Sequence, residues 1–388
     1  MSREPCCPSL DRRRFIGAAA AIGAALSIPR PTLAEPMIGP GLAFEAARSG
    51  RVFGAAVRTD QVGRGGDLRA IALRDCSLFT PEIGLQWNAI EPSPGQLAFA
   101  KMDDLTELAA ATGQKVVGHS LLWHLGAPAW VEGALSDQKS WAPIHRHFAS
   151  VLPRFSDSIG VWNVVNEPID IGLRPDGLRR NVFLEAFGPD YINRALEDAR
   201  DLTPKTRLMI NEFGLEYDFP VERARRTAFL KLVERLRAAN APLDVIGLQA
   251  HLDLGKGQVS QSEIRAFVRE LSDMGLTIMV TELDVKESNY VAPAAVRDQL
   301  VADETRRYLD AVLDEPAVKG VATWGLSDRH SWLEVTPADY KRFPGAWARP
   351  GEGPGFNRGL PYDSDLRPKP MYDAITRALR GARLAQAA

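Results

Sequence analysis

The sequence predicts an α/β fold of the (β/α)8, or TIM, barrel type, built as a single domain. Three observations carry this expectation. Short apolar runs rich in β-branched residues alternate with longer segments of helical spacing, these runs number eight, and most of them finish in a polar residue. Of the 388 residues 45% are hydrophobic and 25% charged, enough apolar material for one large core, and barrels of this kind reach such a length without a second domain.

Seven strands are read at Val52 to Val57, Lys115 to His119, Gly160 to Asn166, Arg207 to Asn211, Val245 to Gln249, Thr277 to Glu282 and Gly320 to Trp324. An eighth is placed around Ser77 to Thr80, between the first two. Arg223 to Ala239 and Ser260 to Met274 carry apolar residues at helical spacing between strands. The Gly/Pro-rich stretch Phe343 to Phe356 reads as a long loop after the last strand, either a plain surface excursion or a wall of a cleft. Asp365 to Leu379 then reads as a short lead into a helix that begins near Pro370.

The N-terminus stands apart from this pattern. Asp11-Arg12-Arg13-Arg14-Phe15-Ile16 leads into the nearly uncharged run Ile16 to Ile28, and Thr32-Leu33-Ala34 supplies small residues ahead of Glu35. This resembles a twin-arginine export signal over residues 1–34, with a mature domain of residues 35–388 in the periplasm or outside the cell. The apolar run is short for a bilayer span, so a soluble protein without a membrane partner is expected after cleavage; the alternative is a membrane-anchoring or frayed segment. Cys6 and Cys7 fall inside the signal, and Cys76 alone would remain, excluding an intramolecular disulfide. Cys76 lies in the apolar stretch Ile71 to Phe79, where a buried inert thiol is expected. Five arginines against Glu4 and Asp11 give residues 1–34 a net +3, which leaves the rest at −5 from the stated −2. Nucleic acid is not an indicated partner, and a neutral substrate fits this balance.

Strand ends carry the chemistry. In a parallel barrel all C-terminal strand ends open on one face, so His119, Asn166-Glu167, Asn211-Glu212, Gln249-Ala250-His251, Glu282 and Trp324 converge there. Cleaving an acetal between sugars needs one carboxylic acid to protonate the leaving oxygen and a second carboxylate to meet the oxocarbenium-like carbon. VWNVVNEP (Val161 to Pro168) and IMVTELDV (Ile278 to Val285) each set a Glu where a buried strand gives out. A lone Glu at such a position is more often a salt-bridge partner, but two in this register, beside Asn166 and Thr281, point to paired-carboxylate hydrolysis.

These segments also resemble a known family, glycoside hydrolase family 10, the xylanase family, over nearly the whole mature chain. The similar elements are TPEIGLQW (Thr80 to Trp87), GHSLLWH (Gly118 to His124), WNVVNEP (Trp162 to Pro168), IGLQAHL (Ile246 to Leu252), TELDV (Thr281 to Val285), WGLSDRHSW (Trp324 to Trp332) and PKPMYDAI (Pro368 to Ile375). The resemblance implies a retaining endo-β-1,4-xylanase acting on xylan or xylo-oligosaccharides, with no cofactor and as a monomer. It implies that Glu167 is the acid/base, Glu282 the nucleophile and Asn166 a donor to the sugar hydroxyl beside the reacting carbon. It further implies that His251 bonds Glu282 and is oriented by Asp284. Glu82, His119, Trp123, Gln249, Trp324 and Trp332 are implied to contact the sugars. Three departures stand out. Ile83 and Gln86 replace the family's Asn and Lys in the loop after the second strand, and Gly126 replaces a common Gln, which implies a weakened glycone subsite or a shifted sugar preference.

A metal site from His145 and His147, or from His119 and His124, is disfavoured because there is no HExxH, two-residue spacing on a helix splits the rings, and paired carboxylates need no metal. Trp162 is read as core, and Trp87, Trp130, Trp141 and Trp347 as core or loop packing. The competing functions are a hydrolase of another β-glycan and a carbohydrate-binding protein with little activity.

Overall fold

The computed structural model describes residues 40–138, 140–287, 292–333, 357–382 and 384. The export-signal segment, the Phe343 to Phe356 loop and Trp347 lie outside the described residues.

Nine strands occur among the described residues: β1 Val52–Val57, β2 Leu78–Pro81, β3 Lys115–Gly118, β4 Ile159–Asn166, β5 Arg207–Glu212, β6 Val245–Leu248, β7 His251–Asp253, β8 Thr277–Lys286 and β9 Val318–Thr323. Every ladder between them is parallel. β1 to β6 pair in chain order, β6 pairs β8, β8 pairs β9, and β9 returns to β1, so eight strands close a barrel with no edge. β7 is the exception: it adds to the upper end of β8, with His251 opposite Asp284. β8 therefore runs on past Glu282 to Lys286, where the sequence pattern ends at the glutamate.

Helices form the outer layer. Pro220–Ala238 begins on a proline at its first turn, where a missing N–H costs nothing, three residues ahead of the boundary read from the sequence. Gln261–Asp273 and Pro370–Gly381 lie close to their expected spans. The Pro370–Gly381 helix packs between Leu42–Arg48 and Ala294–Val312, so the two ends of the described chain share one wall. None of the helices among the described residues is long and apolar enough to cross a membrane.

Two apolar clusters result. The large one lies between strands and helices; the small one, Leu78, Val117, Met209, Val245 and Met279, fills the barrel interior. Side chains alternate along a strand, so the residues two positions further on also point inward: Thr80, His119, Asn211, Gly247 and Thr281. An apolar floor thus carries a polar storey, which is why these strands change character at their C-terminal ends. Outside the barrel, Trp162 is fully buried against Gly118; a Cβ at Gly118 would stand 2.1 Å from the indole, so only glycine fits beneath it.

Candidate active site

The site grows from two bulges. Strict alternation from Val161 and Asn163 would turn Val165 inward, but the β4–β5 register shifts between Asn163 and Val165. Val164 and Val165 both join the outer core, and Asn166 is delivered to the barrel mouth. On β8 the register shifts between Val280 and Leu283, and the consecutive residues Thr281 and Glu282 both reach Asn211.

Asn211 is the hub. Its Nδ2 donates to Asn166 Oδ1 at 2.8 Å and to Glu282 Oε1 at 2.6 Å, while its Oδ1 accepts from Thr281 Oγ1 at 2.7 Å. Space for it comes from Gly247, where a Cβ would lie 2.2 Å from Asn211 Oδ1. Asn166 Oδ1 also accepts from Asn163 (2.9 Å) and Gln249 (3.4 Å), which orients its Nδ2 toward Glu167 Oε1 at 3.1 Å. Gln249 donates a second contact to Glu167 Oε1 at 3.3 Å. Two asparagine side chains in series therefore link the two glutamates.

Glu167 and Ala250 occupy the left-handed region at φ 54° and 60°, a conformation worth roughly 1–3 kcal/mol of strain for residues with a Cβ. Each is tied down. Glu167 donates its N–H to Asn211 O (2.8 Å) and its carbonyl accepts from Arg179 Nε (2.8 Å). Ala250 donates to the buried Glu216 carboxylate at 3.1 Å. The sharp corners turn Glu167 into the mouth at the top of β4 and set Gln249 and His251 on either side of β6's end.

The electrostatics of the two glutamates diverge. Burial raises the pKa of Glu282, yet the hydrogen bond and charge of His251 and the Asn211 donor outweigh it and bring it below the usual 4.5. His251 Nδ1 meets Asp284 Oδ1 at 2.8 Å and its Nε2 meets Glu282 Oε2 at 3.3 Å. Burial disfavours the imidazolium, but these two carboxylates push its pKa well above 6.5. His251, bridging two carboxylates, thus favours the ionised form of Glu282. Glu167 moves the other way: burial raises it first and outweighs the downward pull of Trp123, the charge of Glu282 raises it further, and Arg179 and Gln249 oppose these more weakly. The Trp123 indole N–H approaches Glu167 without reaching hydrogen-bond geometry. His124 stands 4.0 Å from Glu167, and burial brings its pKa down to about 4, so it sits there neutral.

His119 closes the floor of the pocket with Thr80, Thr281, Glu282 and Trp324. Burial lowers its pKa, and Asn163 donates to its Nδ1 at 3.3 Å, which fits a neutral ring with its proton on Nε2. Trp324 packs edge-on to His119 at 5.2 Å, and Trp332 lies 5.1 Å from His251 while its indole N–H donates to Asp284. Of the residues singled out in the sequence, Glu82 stands apart from this cluster. It pairs with Arg58 at 3.4 Å, burial raises its pKa, and its backbone carbonyl accepts from Gln86. The histidines weighed as metal ligands diverge: His145 bonds Asp198 at 2.6 Å, while His147 is buried and stacked on Trp87 at 4.3 Å. Trp162, Trp87 and Trp141 are buried in the core.

Asn163, Glu216 and Arg179 escaped the sequence reading, and Asn211, though visible as a strand end, had no assigned role. The strand-end pattern gives position but not partners, and the other residues sit before a bulge or in loops.

Residues 41–378 match the family model described as Glycosyl hydrolase family 10. The chain is 30% identical over 299 residues to endo-1,4-beta-xylanase A of Phanerodontia chrysosporium, covering 76% of this chain and 66% of that protein's own length. With endo-1,4-beta-xylanase A of Fusarium oxysporum f. sp. lycopersici it shares 31% over 333 residues, 82% of this chain and 92% of that protein. Among solved structures, xylanase 10B from Thermotoga petrophila RKU-1 in complex with xylobiose superposes with a TM-score of 0.76 at 24% identity, over 88% of this chain and 98% of that one, a likeness of fold. A match spanning nearly the whole barrel, together with a relative above 30% identity, establishes that this chain belongs to glycosyl hydrolase family 10.

Proposed function

We propose that this protein is a retaining endo-β-1,4-xylanase in which Glu282 is the nucleophile and Glu167 the acid/base. The observation that carries the reading is the opposite shift of two linked carboxyls: one is held ionised by His251 and Asn211, and the other is raised by burial and by its partner's charge. Such a split supports reading one as the acid and the other as the nucleophile. In the first step Glu282 attacks the anomeric carbon as Glu167 gives its proton to the leaving oxygen, forming a glycosyl ester and releasing the leaving-group sugar. Esterification removes the charge of Glu282, so the pKa of Glu167 falls and its carboxylate can take a proton from the water that cleaves the ester. Asn166, with one N–H on Glu167 and its other without an acceptor among the described residues, is suited to bond the hydroxyl beside the reacting carbon. His119, Trp123, Gln249, Trp324 and Trp332 are suited to contact the sugar from the mouth, Glu82 stands away from them against Arg58, and no cofactor enters the scheme.

Release of reducing sugar from xylan, with the β-anomer appearing first by proton NMR, tests this reading; first-formed α-anomer would overturn it. A second reading, hydrolysis of another β-glycan, draws on Ile83, Gln86 and Gly126. Ile83 is half exposed with no polar atom to offer a sugar, and Gln86 turns its amide back onto Glu82. A panel of xylan, glucan and mannan separates the two. We further propose export through residues 1–34 and a monomeric mature enzyme, tested by N-terminal sequencing of the protein from cell fractions and by light scattering.

A further inference from the structure

We infer that Arg179 is a positioning residue for the acid: its guanidinium holds the backbone on which Glu167 turns. The inference rests on the assignment of Glu167 as acid/base. Arg179 Nε donates to the carbonyl of Glu167 itself at 2.8 Å, and its Nη2 donates to the Ile169 carbonyl at 2.9 Å. One planar fork thus spans the carbonyls of the strained residue and of the residue two positions on. The same corner is gripped from below. Ile169 N–H donates to the fully buried Glu212 at 2.8 Å, and Arg225, 3.6 Å from Glu212, shares the Ile169 carbonyl at 2.8 Å. Both guanidiniums pack against the Phe213 ring, Arg179 at 5.7 Å and Arg225 at 4.5 Å from its centroid.

A left-handed backbone at Glu167 without this support would relax toward ordinary φ and swing the carboxyl away from the leaving oxygen. The charge has its own consequence. The groups facing Glu167 are Glu282 on β8, His124 after β3, Glu212 at the end of β5 and Arg179, which itself pairs with Asp170 at 3.5 Å; Gln249, Trp123 and Asn166 are neutral. With His124 neutral, Arg179 is the cation that opposes Glu282 and burial, and so it limits how far the acid's pKa rises.

The test compares Arg179→Gln and Arg179→Lys with wild type and with Glu167→Ala. Two aryl β-glycosides of a sugar that the wild-type enzyme cleaves are used, one with a phenol leaving group that needs protonation and one with a dinitrophenol that does not. Arg179→Gln is expected to lose about tenfold or more in kcat/KM on the phenyl glycoside and less than about threefold on the dinitrophenyl one, with the basic limb on the phenyl substrate moved to higher pH. Arg179→Lys keeps the charge and loses the fork, so the phenyl rate falls while the basic limb stays. If Arg179→Gln does not fold, the leaving-group ratio of Arg179→Lys decides alone. A purely structural residue would lower the melting temperature and reduce both substrates alike; equal losses, or equal basic limbs in the two variants, overturn the inference. Glu167→Ala separates the failures. If it too ignores the leaving group, the acid assignment falls and this inference with it; if it responds and the Arg179 variants do not, only the role of Arg179 falls.

Discussion

Asn211→Ala probes the link between the two glutamates. The substitution removes a 2.6 Å donor to the buried Glu282 carboxyl, a 2.8 Å donor to Asn166 and the acceptor for Thr281. A hydrogen bond to a charged group is worth about 1.5–3 kcal/mol, so kcat/KM should fall roughly 10- to 150-fold. The sign of the pH effect follows from which form is bonded. Asn211 donates to the carboxylate, so its loss favours the protonated form and raises the pKa of Glu282. The acid limb of kcat/KM then moves upward, by at most about one to two pH units at about 1.4 kcal/mol per unit. The basic limb, set by Glu167, should move less, because Asn166 and Gln249 still contact it. The assay is kcat/KM against pH on one soluble oligosaccharide. Gly247→Ala serves as an independent route to the same defect, since its Cβ would displace the Asn211 amide without removing it. An Asn211→Ala enzyme within about twofold of wild type, with its acid limb unmoved, would refute the claim that this donor holds the nucleophile ionised.

Three further outcomes are expected. Glu167→Ala and Glu282→Ala should both nearly abolish polysaccharide hydrolysis, but only Glu167→Ala should still form its intermediate from a dinitrophenyl glycoside and be rescued by azide to a β-glycosyl azide; rescue to the α-azide, or of Glu282→Ala to the β-azide, contradicts the assignment. Ile83→Asn with Gln86→Lys should lower KM on xylotriose more than on an activated xyloside that fills only the reaction subsite, and an unchanged ratio would show that this loop does not govern glycone binding. Cys76 is buried in the core with its thiol pushed well above its ordinary pKa by that burial, so iodoacetamide at mildly alkaline pH should leave the Cys76 peptide unlabelled until the protein is unfolded; labelling of the native protein would contradict this burial.

Much of this molecule is legible in its sequence because barrel strands and helices have different periods, and both periods survive in a single chain. Val52–Val57 and Thr277 onward read as strands from their apolar, β-branched runs, and the Pro370 helix announces itself through a proline at its start. The change from apolar floor to polar mouth is equally visible, since it is written along each strand. Asn166, Glu167 and Glu282 are therefore found at strand ends without coordinates.

Partnership and charge state are a different matter. Asn211 and Glu282 are 71 residues apart, and His251 and Glu282 are 31 apart. Nothing local in either segment says that they bond. The bulges that deliver Asn166 and Glu282 break the period-two rule by which a sequence is read, and Arg179 and Glu216 come from loops with no period at all. The sequence by itself determined the barrel, the rim and the identity of its carboxyl groups, because these depend on local pattern. Only the tertiary structure decided that the pKa of Glu282 is pulled down while that of Glu167 is pushed up, because a pKa is set by burial and by charges that the closed barrel brings within a few ångströms of one another.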